Sequence, residues 1–144
     1  LVLMKRCPAL LDLSREHHGA LSLAVRLRRA AESGDEAAIE AACLRAQQVF
    51  LQELLPHFKE EEQCLLPLLE AVGANAVVAH TLIEHRAMQR LIRELDLPDA
   101  EVLLRFADLL TAHVRFEERE LFERAEALVG EEKLATALQR VAAE

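Results

Sequence analysis

The feature that most constrains the fold is the division of the chain by a few turn signals into long helical segments. Glycine and proline are scarce, with four of each, and three of the glycines stand where a run of helical hydrophobic spacing stops. The interruptions are Ser33-Gly34-Asp35, Gly73, Asp96-Leu97-Pro98 and Gly130. This pattern predicts helices over about residues 9–32, 36–72, 75–95 and 98–129, followed by a short tail helix over about 131–142.

Two residues of the second segment predict local structure of their own. Asp35 is placed to cap that helix, because an aspartate side chain accepts hydrogen bonds from the free N–H groups of a first helical turn. Pro56 lies in the middle of the same helix and removes one backbone donor, which predicts a kink or break near residues 52–56.

The composition agrees with a helical domain. Hydrophobic residues make up 52% of the 144 positions, enough for a single domain over residues 1–144 that buries a core without disulfides. Low glycine and proline disfavour a sandwich, a barrel or a disordered chain. Four long amphipathic helices with short connections predict an all-α fold, an up-down-up-down four-helix bundle with a short C-terminal helix.

The charge and the aromatic content exclude some partners. A net charge of −8 disfavours binding to a phosphate backbone, and the absence of Trp and Tyr disfavours a base-stacking surface. No apolar run reaches the ~18 residues of a membrane span. Cys7, Cys43 and Cys64 form no C-x-x-C pair and are expected to be small buried residues in a reducing compartment. The expectation is a cytoplasmic protein that binds neither nucleic acid nor membrane.

The second half of the chain resembles the first. Residues 57–62 align with residues 113–118, and the dipeptide Glu16-His17 aligns with Glu84-His85 one helix earlier. The chain is therefore interpreted as a duplication of a two-helix unit. Packing two such units about a pseudo-two-fold axis would bring equivalent residues face to face in the middle.

Histidines and glutamates occupy the apolar faces of these helices. Apolar residues surround one histidine per helix at helical offsets, namely His17, His57, His85 and His113. Glu61 and Glu117 each follow one of these histidines by four residues and so share its helix face. A lone core histidine is more often a hydrogen-bonded structural residue. Two carboxylates among leucines, however, are costly unless they are paired or bind a metal, so the set predicts a metal site.

The ligand types narrow the choice of metal. Imidazole and carboxylate without a thiolate motif favour iron, manganese or zinc over calcium or magnesium. Six ligands exceed the four of a closed zinc site, so two ions bridged by the glutamates fit better. A ferritin-like centre would need a glutamate three residues before the histidine on two of the helices. Leucine stands at that spacing, at Leu54, Leu82 and Leu110.

With these residues the chain resembles the hemerythrin-like (HHE cation-binding) domain family. The matching pattern is His17, His57-x-x-x-Glu61, His85 and His113-x-x-x-Glu117, and it extends over nearly the whole chain. The resemblance implies a four-helix bundle with two non-haem iron ions, zinc and manganese being less favoured. It also implies that the histidines are terminal ligands, that both glutamates bridge, and that the partner is dioxygen, peroxide or nitric oxide.

The pattern departs from the oxygen-carrying hemerythrins at one position. Those proteins have a further histidine four residues before the one equivalent to His85, and here that residue is Thr81. His80 lies one residue further away and is expected to face solvent. One metal then keeps an open or water-filled position, which favours oxygen, peroxide or nitric-oxide reactivity, or sensing, over simple reversible oxygen carriage.

Some neighbouring residues leave alternatives open. His17 rather than His18 is predicted to face the core, because its helical neighbours are apolar. Cys64 is expected to be a small core residue, with a redox thiol beside the pocket as the alternative. Three acidic residues are expected to be solvated or to accept hydrogen bonds from ligand imidazoles on neighbouring helices: Glu60, Glu62 and Glu118.

The leading functional hypothesis is a non-haem di-iron protein that binds or reacts with dioxygen, peroxide or nitric oxide. It is expected to be a binding or sensing protein rather than an enzyme, with a weak oxidase- or peroxidase-type activity left open. The alternatives are a metal-dependent regulatory or interaction module and a metal-buffering protein without redox turnover. The sequence does not identify a protein partner.

Overall fold

The helices follow the predicted division closely. The computed structural model describes residues 5–140, and every regular element in that range is helical. A 3-10 turn over Pro8–Leu10 leads into the first helix. Helix α1 spans Leu11–Glu32, α2 spans residues 36–71, α3 spans Asn75–Glu94, α4 spans residues 100–129 and α5 spans Glu131–Ala137.

Side-chain caps begin two of the helices. The predicted Asp35 cap is confirmed, because its carboxylate accepts a hydrogen bond from the Ala37 N–H at 3.0 Å. Asp99 does the same for α4, accepting from the Glu101 N–H at 2.9 Å. Both carboxylates also lie at the positive end of a helix dipole, which favours their charge.

The tail helix is shorter than predicted. It ends at Ala137, whereas the prediction extended to about residue 142. Residues 141–142 lie outside the described part of the chain. The chain leaves the helix so that Leu138 packs into the core. Arg140 then reaches Glu60, at 2.7 Å between Nη2 and Oε1. Packing and an ion pair thus override helical spacing in this segment.

The long helices α2 and α4 contain π-helical turns, in which the backbone widens by one residue. Helix α2 does not break at Pro56. It passes instead through a π turn over Phe50–Leu54, which ends two residues before the proline whose N–H is missing. Two further π turns, Glu61–Leu65 and Glu117–Leu121, occupy equivalent positions of the two repeats. Each begins at one of the predicted metal-ligating glutamates.

The core consists of two apolar clusters with a layer of buried polar side chains between them. The first core surrounds Phe50, Phe58 and Phe106, and the second core surrounds Leu10 and Phe122. Each of the four long helices contributes to both clusters. Helices α1 and α3 enter the first core after the polar layer, whereas α2 and α4 enter the second core after it.

The helices pack so that the polar layer is enclosed. Helix α1 lies against α2 and α4, and α3 lies against α4. Helix α5 covers the 3-10 turn at Pro8–Leu10 and the end of α4. Among residues 5–140 we find no helix with the length and apolar character that crossing a membrane requires.

The three cysteines form no disulfide and differ in burial. Cys43 is fully buried as predicted, whereas Cys7 and Cys64 are only partly buried and pack against the second core. Burial raises the pKa of the Cys7 thiol to about 12, so this thiol stays protonated at neutral pH.

We expect Gly19→Ala to raise the free energy of unfolding by about 0.5–1 kcal/mol, because glycine destabilises a helix interior by about that amount relative to alanine. Gly19 lies inside α1, and an added Cβ would meet no atom within 4 Å. Gly34→Ala is the matched control, since Gly34 has φ +70°, where a Cβ is strained, and this variant should lose stability. Urea denaturation of the variants measures both effects. Loss of stability in Gly19→Ala would contradict the packing described for α1.

Candidate metal centre

The six side chains singled out in the sequence meet in the polar layer between the two cores. Each is at most 6% exposed, which confirms the predicted inward orientation of the set: His17, His57, Glu61, His85, His113 and Glu117. The choice between the adjacent histidines is also confirmed, because His17 is buried and His18 is exposed. All four long helices therefore supply at least one potential ligand.

Each glutamate turns one carboxylate oxygen toward each pair of histidines. Glu61 Oε2 lies 3.1 Å from His57 Nε2, and its Oε1 lies 3.1 Å from His85 Nε2. Glu117 Oε1 lies 2.8 Å from His17 Nε2, and its Oε2 lies 3.0 Å from His113 Nε2. The arrangement forms two half-sites that share both carboxylates. We call the His17–His57 pair half-site one and the His85–His113 pair half-site two.

In both half-sites the atoms are close enough to share an ion. Within each group of two imidazoles and two carboxylates, the candidate ligand atoms all lie within 4.8 Å of one another. In half-site two, four of these atoms are fully buried. Although they lie 3.0–3.1 Å apart in pairs, none of them is in hydrogen-bond geometry with a described residue: Glu61 Oε1, His85 Nε2, His113 Nε2 and Glu117 Oε2. A buried polar atom without a partner is costly, so this donor set fits a cation.

A second ring of carboxylates orients the four imidazoles. Every Nδ1 lies within 2.8 Å of an acidic side chain from another helix, the partners being Glu118 for His17, Glu16 for His57, Glu62 for His85 and Glu84 for His113. We call these four the outer carboxylates. An ionised carboxylate only accepts hydrogen bonds, so each Nδ1–H donates outward. The Nε2 lone pair is then left facing the centre, as a metal-binding imidazole requires.

The sequence predicted two of the four outer carboxylates. Glu62 and Glu118 accept hydrogen bonds from imidazoles of neighbouring helices, as expected. Glu60 does not, because it pairs with Arg140. Glu16 and Glu84 were missed, although the repeat contains the signal for them. They are equivalent residues, each directly before a core histidine and each contacting the histidine of the following helix.

Three other residues singled out in the sequence lie outside the centre. His80 faces solvent as predicted, with about half of its side chain exposed, and its Nε2 lies 3.3 Å from Glu84 Oε2. Thr81 is buried and donates its hydroxyl hydrogen bond to the Val77 carbonyl of its own helix, at 2.8 Å. Cys64 packs with the second core and is absent from both groups of ligand atoms.

Arg6 contacts the outer carboxylate Glu118, and no sequence signal indicated this role. Its buried side chain donates to Glu118 Oε1 at 3.2 Å and also to the Glu118 backbone carbonyl. The same guanidinium lies 3.0 Å from Glu123 and 2.9 Å from Glu126. Ser14 adds a further donor to Glu118 at 3.1 Å. The carboxylate that orients His17 therefore accepts two hydrogen bonds besides the imidazole's, and a third hydrogen bond holds the backbone carbonyl of the same residue.

Without metal, protons on the imidazoles balance the buried carboxylates. Burial alone would lower the pKa of His85, but interactions with Glu117 and Glu61 outweigh it and raise the pKa to about 10. Burial likewise opposes the charge on His113, yet Glu117 and Glu84 raise its pKa to about 9. Burial works to raise the pKa of Glu117, but His113 and His17 hold it well below its usual range.

For the metal-free protein we expect the free energy of unfolding to fall as the pH rises from about 6.5 to 10. In this range the folded protein holds protons on His85 and His113 that the unfolded chain has lost. Each imidazole thus stabilises the fold fully below 6.5 and loses that contribution as the pH passes through its folded-state pKa. The contribution of Glu117 has the opposite dependence, because it is present above 4.5 and is lost as the pH falls.

Denaturation in a chelating buffer at several pH values measures this slope. His85→Gln should flatten it, whereas His18→Gln, at an exposed neighbour of the centre, should leave it unchanged. A wild-type profile that stays level or rises between pH 6.5 and 10 would contradict the charge state described for the metal-free centre.

Comparison with known proteins agrees with this geometry. A family model, the hemerythrin HHE cation binding domain, matches residues 9–125, a range that contains all six buried histidine and glutamate side chains. A search of curated proteins and a search of solved structures gave no match. The match covers well over half of the chain, and the chain belongs to the hemerythrin HHE cation-binding family.

Proposed function

We propose that this protein holds two iron ions between its helices and that the di-iron centre binds or reacts with dioxygen, peroxide or nitric oxide. The observation that carries the proposal is the shared pair of buried carboxylates, each with one oxygen facing each half-site. A carboxylate that turns both oxygens toward separate pairs of imidazoles is arranged to bridge two cations. Nitrogen and carboxylate oxygen ligands without thiolate suit iron, manganese or zinc.

The proposed frame for this centre is an up-down-up-down four-helix bundle. Successive long helices pass through the polar layer in alternating order, from second core to first and then from first core to second. Such a bundle places side chains from all four helices at one level of its interior. The π turns at Glu61–Leu65 and Glu117–Leu121 support the proposal, because such turns are frequent at functional sites in helices.

The protein residues would divide the work of the centre. The imidazoles of each half-site and one oxygen of each glutamate would hold one ion. The outer carboxylates would keep each Nδ1 protonated and each ring oriented. Iron held there would supply one-electron redox chemistry and coordination positions for a small ligand. The apolar cores on both sides would limit the access of water.

The ligand count supports reaction or sensing over simple reversible oxygen carriage. Each half-site offers two imidazole nitrogens and two carboxylate oxygens, which leaves coordination positions for water or an added ligand. Thr81 stands where an additional histidine would strengthen half-site two. Its hydroxyl is engaged by the Val77 carbonyl, so it adds no ligand there.

Metal analysis after anaerobic reconstitution with Fe(II) tests the proposal. We expect about two iron ions per chain in the wild-type protein, because the two half-sites share both glutamates. His17→Ala should bind less iron, whereas His18→Ala, with the substitution one residue further along α1 on its exposed face, should bind as much as the wild type. Trace iron in the wild-type protein would overturn the proposal, and so would equal losses in the two variants.

We expect Glu117→Gln to remove the stabilisation that iron gives to the fold. The amide keeps the size of the carboxylate but removes the negative charge shared by both ions, so neither ion is held well. The variant should still fold without metal, because both apolar cores are intact. Its melting temperature should then be insensitive to added Fe(II), since a ligand stabilises only a state that binds it.

Glu120→Gln is the matched control for this substitution. Glu120 lies in the same π turn as Glu117 but is exposed, so its iron-dependent shift in melting temperature should equal that of the wild type. A shift of wild-type size in Glu117→Gln, measured anaerobically, would show that this carboxylate does not bridge.

A further inference from the structure

A cavity of about 580 Å³ lies between α1 and α2 and extends to the candidate metal centre. Its inner wall combines apolar side chains with three imidazoles, those of His17, His57 and His113. Its outer wall is formed by exposed polar residues. The cavity thus has an apolar interior, a polar mouth and an end that contacts ligand histidines.

The mouth of this cavity carries positive charge in a chain whose net charge is −8. Four arginines and three glutamates line it. Arg140 pairs with two of those glutamates, Glu16 and Glu60. The other three arginines, Arg15, Arg26 and Arg45, form no ion pair with any residue in the described range 5–140. Three guanidinium groups beside one opening favour an anion, because arginine matches the geometry of a carboxylate.

The duplication provides an internal comparison for these arginines. Placing the second repeat on the first by its histidines and glutamates puts Ile83, Glu94 and Glu101 at the positions of Arg15, Arg26 and Arg45. The inner histidines and glutamates are therefore the same in both repeats, while the three arginines of the cavity mouth have no basic equivalent in the second repeat. The basic mouth is a property of the first repeat and not of the helical frame.

The second repeat is also closed where the first is open. Phe116 is the equivalent of Glu60, and its ring stacks on His80 with 3.9 Å between ring centroids. The smaller depression around these two rings reaches Glu84 but none of the six inner side chains. In the first repeat, Gly19 lines the cavity where the second repeat has Ala87, and it leaves open space beyond its Cα. Access to the centre is therefore one-sided.

We propose that this cavity binds an organic anion with an apolar body, of the medium-chain carboxylate class. The carboxylate lies at Arg26 and Arg45, while Arg15, about 16 Å away along α1, adds positive charge to the same opening. The apolar chain extends along the inner wall toward half-site one. Binding itself requires no metal. The bound chain would end beside the metal centre, and the cavity would then select which molecules approach the metal. This last step rests on the proposed function.

Isothermal titration calorimetry with octanoate tests this inference, using the metal-free and the iron-loaded protein. We expect binding to both forms, with a one-to-one ratio, and at least tenfold weaker binding of octanamide, which has the same chain without the charge. The double variant Arg26→Glu, Arg45→Glu carries the residues of the second repeat and should weaken octanoate binding at least tenfold. The double variant Arg29→Glu, Arg93→Glu changes the net charge equally outside the cavity and should bind like the wild type.

A further variant tests whether octanoate binds inside the cavity. Gly19→Phe fills the cavity from α1 and should abolish octanoate binding, while the melting temperature of the metal-free variant shows that it folds. Absence of octanoate binding in the wild type would overturn the inference, and so would equal affinity for octanamide or unchanged binding in Gly19→Phe. Because the metal-free protein is titrated as well, a failure to bind iron overturns the proposed function alone.

Discussion

Two carboxylates buried between apolar clusters require positive charge beside them, and much of this structure supplies or positions that charge. Glu61 and Glu117 are fully buried, and an isolated carboxylate in such surroundings costs several kcal/mol. Four imidazoles meet the requirement in the metal-free protein, with pKa values raised by the carboxylates that they face. Cations in place of these protons would meet it as well, so metal binding and proton release are coupled.

The surroundings of the imidazoles follow from the same requirement. A histidine with Nε2 toward the centre has its Nδ1–H directed outward, and each of the four outer carboxylates accepts one such hydrogen bond. Beyond this ring the two repeats differ. Arg6 and Ser14 hold Glu118, whereas its equivalent Glu62 remains 38% exposed on its side chain. The inner histidines and glutamates of the centre are thus symmetric, whereas the residues that hold the outer carboxylates differ between the two repeats.

Helical spacing made the inner residues predictable. The apolar neighbours of His17 and Glu61 define a helix face, so the burial of these two side chains could be predicted from the sequence. The cap at Asp35 and the division into helices could be predicted as well. The π turns were not predictable in this way, because no proline follows the turn over Glu117–Leu121 and its residues are ordinary helix formers. Arg6 and Arg140 were missed for another reason. Each acts through contacts more than 70 residues away in the chain, which no local pattern records.

The repeat contained more information than helical spacing alone could provide. Glu16 and Glu84 appear in the aligned dipeptides, and their equivalence is enough to suggest a shared role. Which histidine each glutamate contacts, namely the one on the next helix, depends on how the helices pack. Arg26 and Arg45 are glutamates in the second repeat, Glu94 and Glu101. This difference points to a binding site only because the structure places both arginines at the cavity.

Anomalous diffraction from crystals of the iron-loaded protein tests the central claim most directly. The claim is that Glu61 and Glu117 bridge two ions held between the imidazoles of half-site one and half-site two. We expect two iron peaks about 3.5–4 Å apart, with one oxygen of each glutamate on each ion. A single peak within the polar layer, or two peaks of which each glutamate contacts only one, would contradict it.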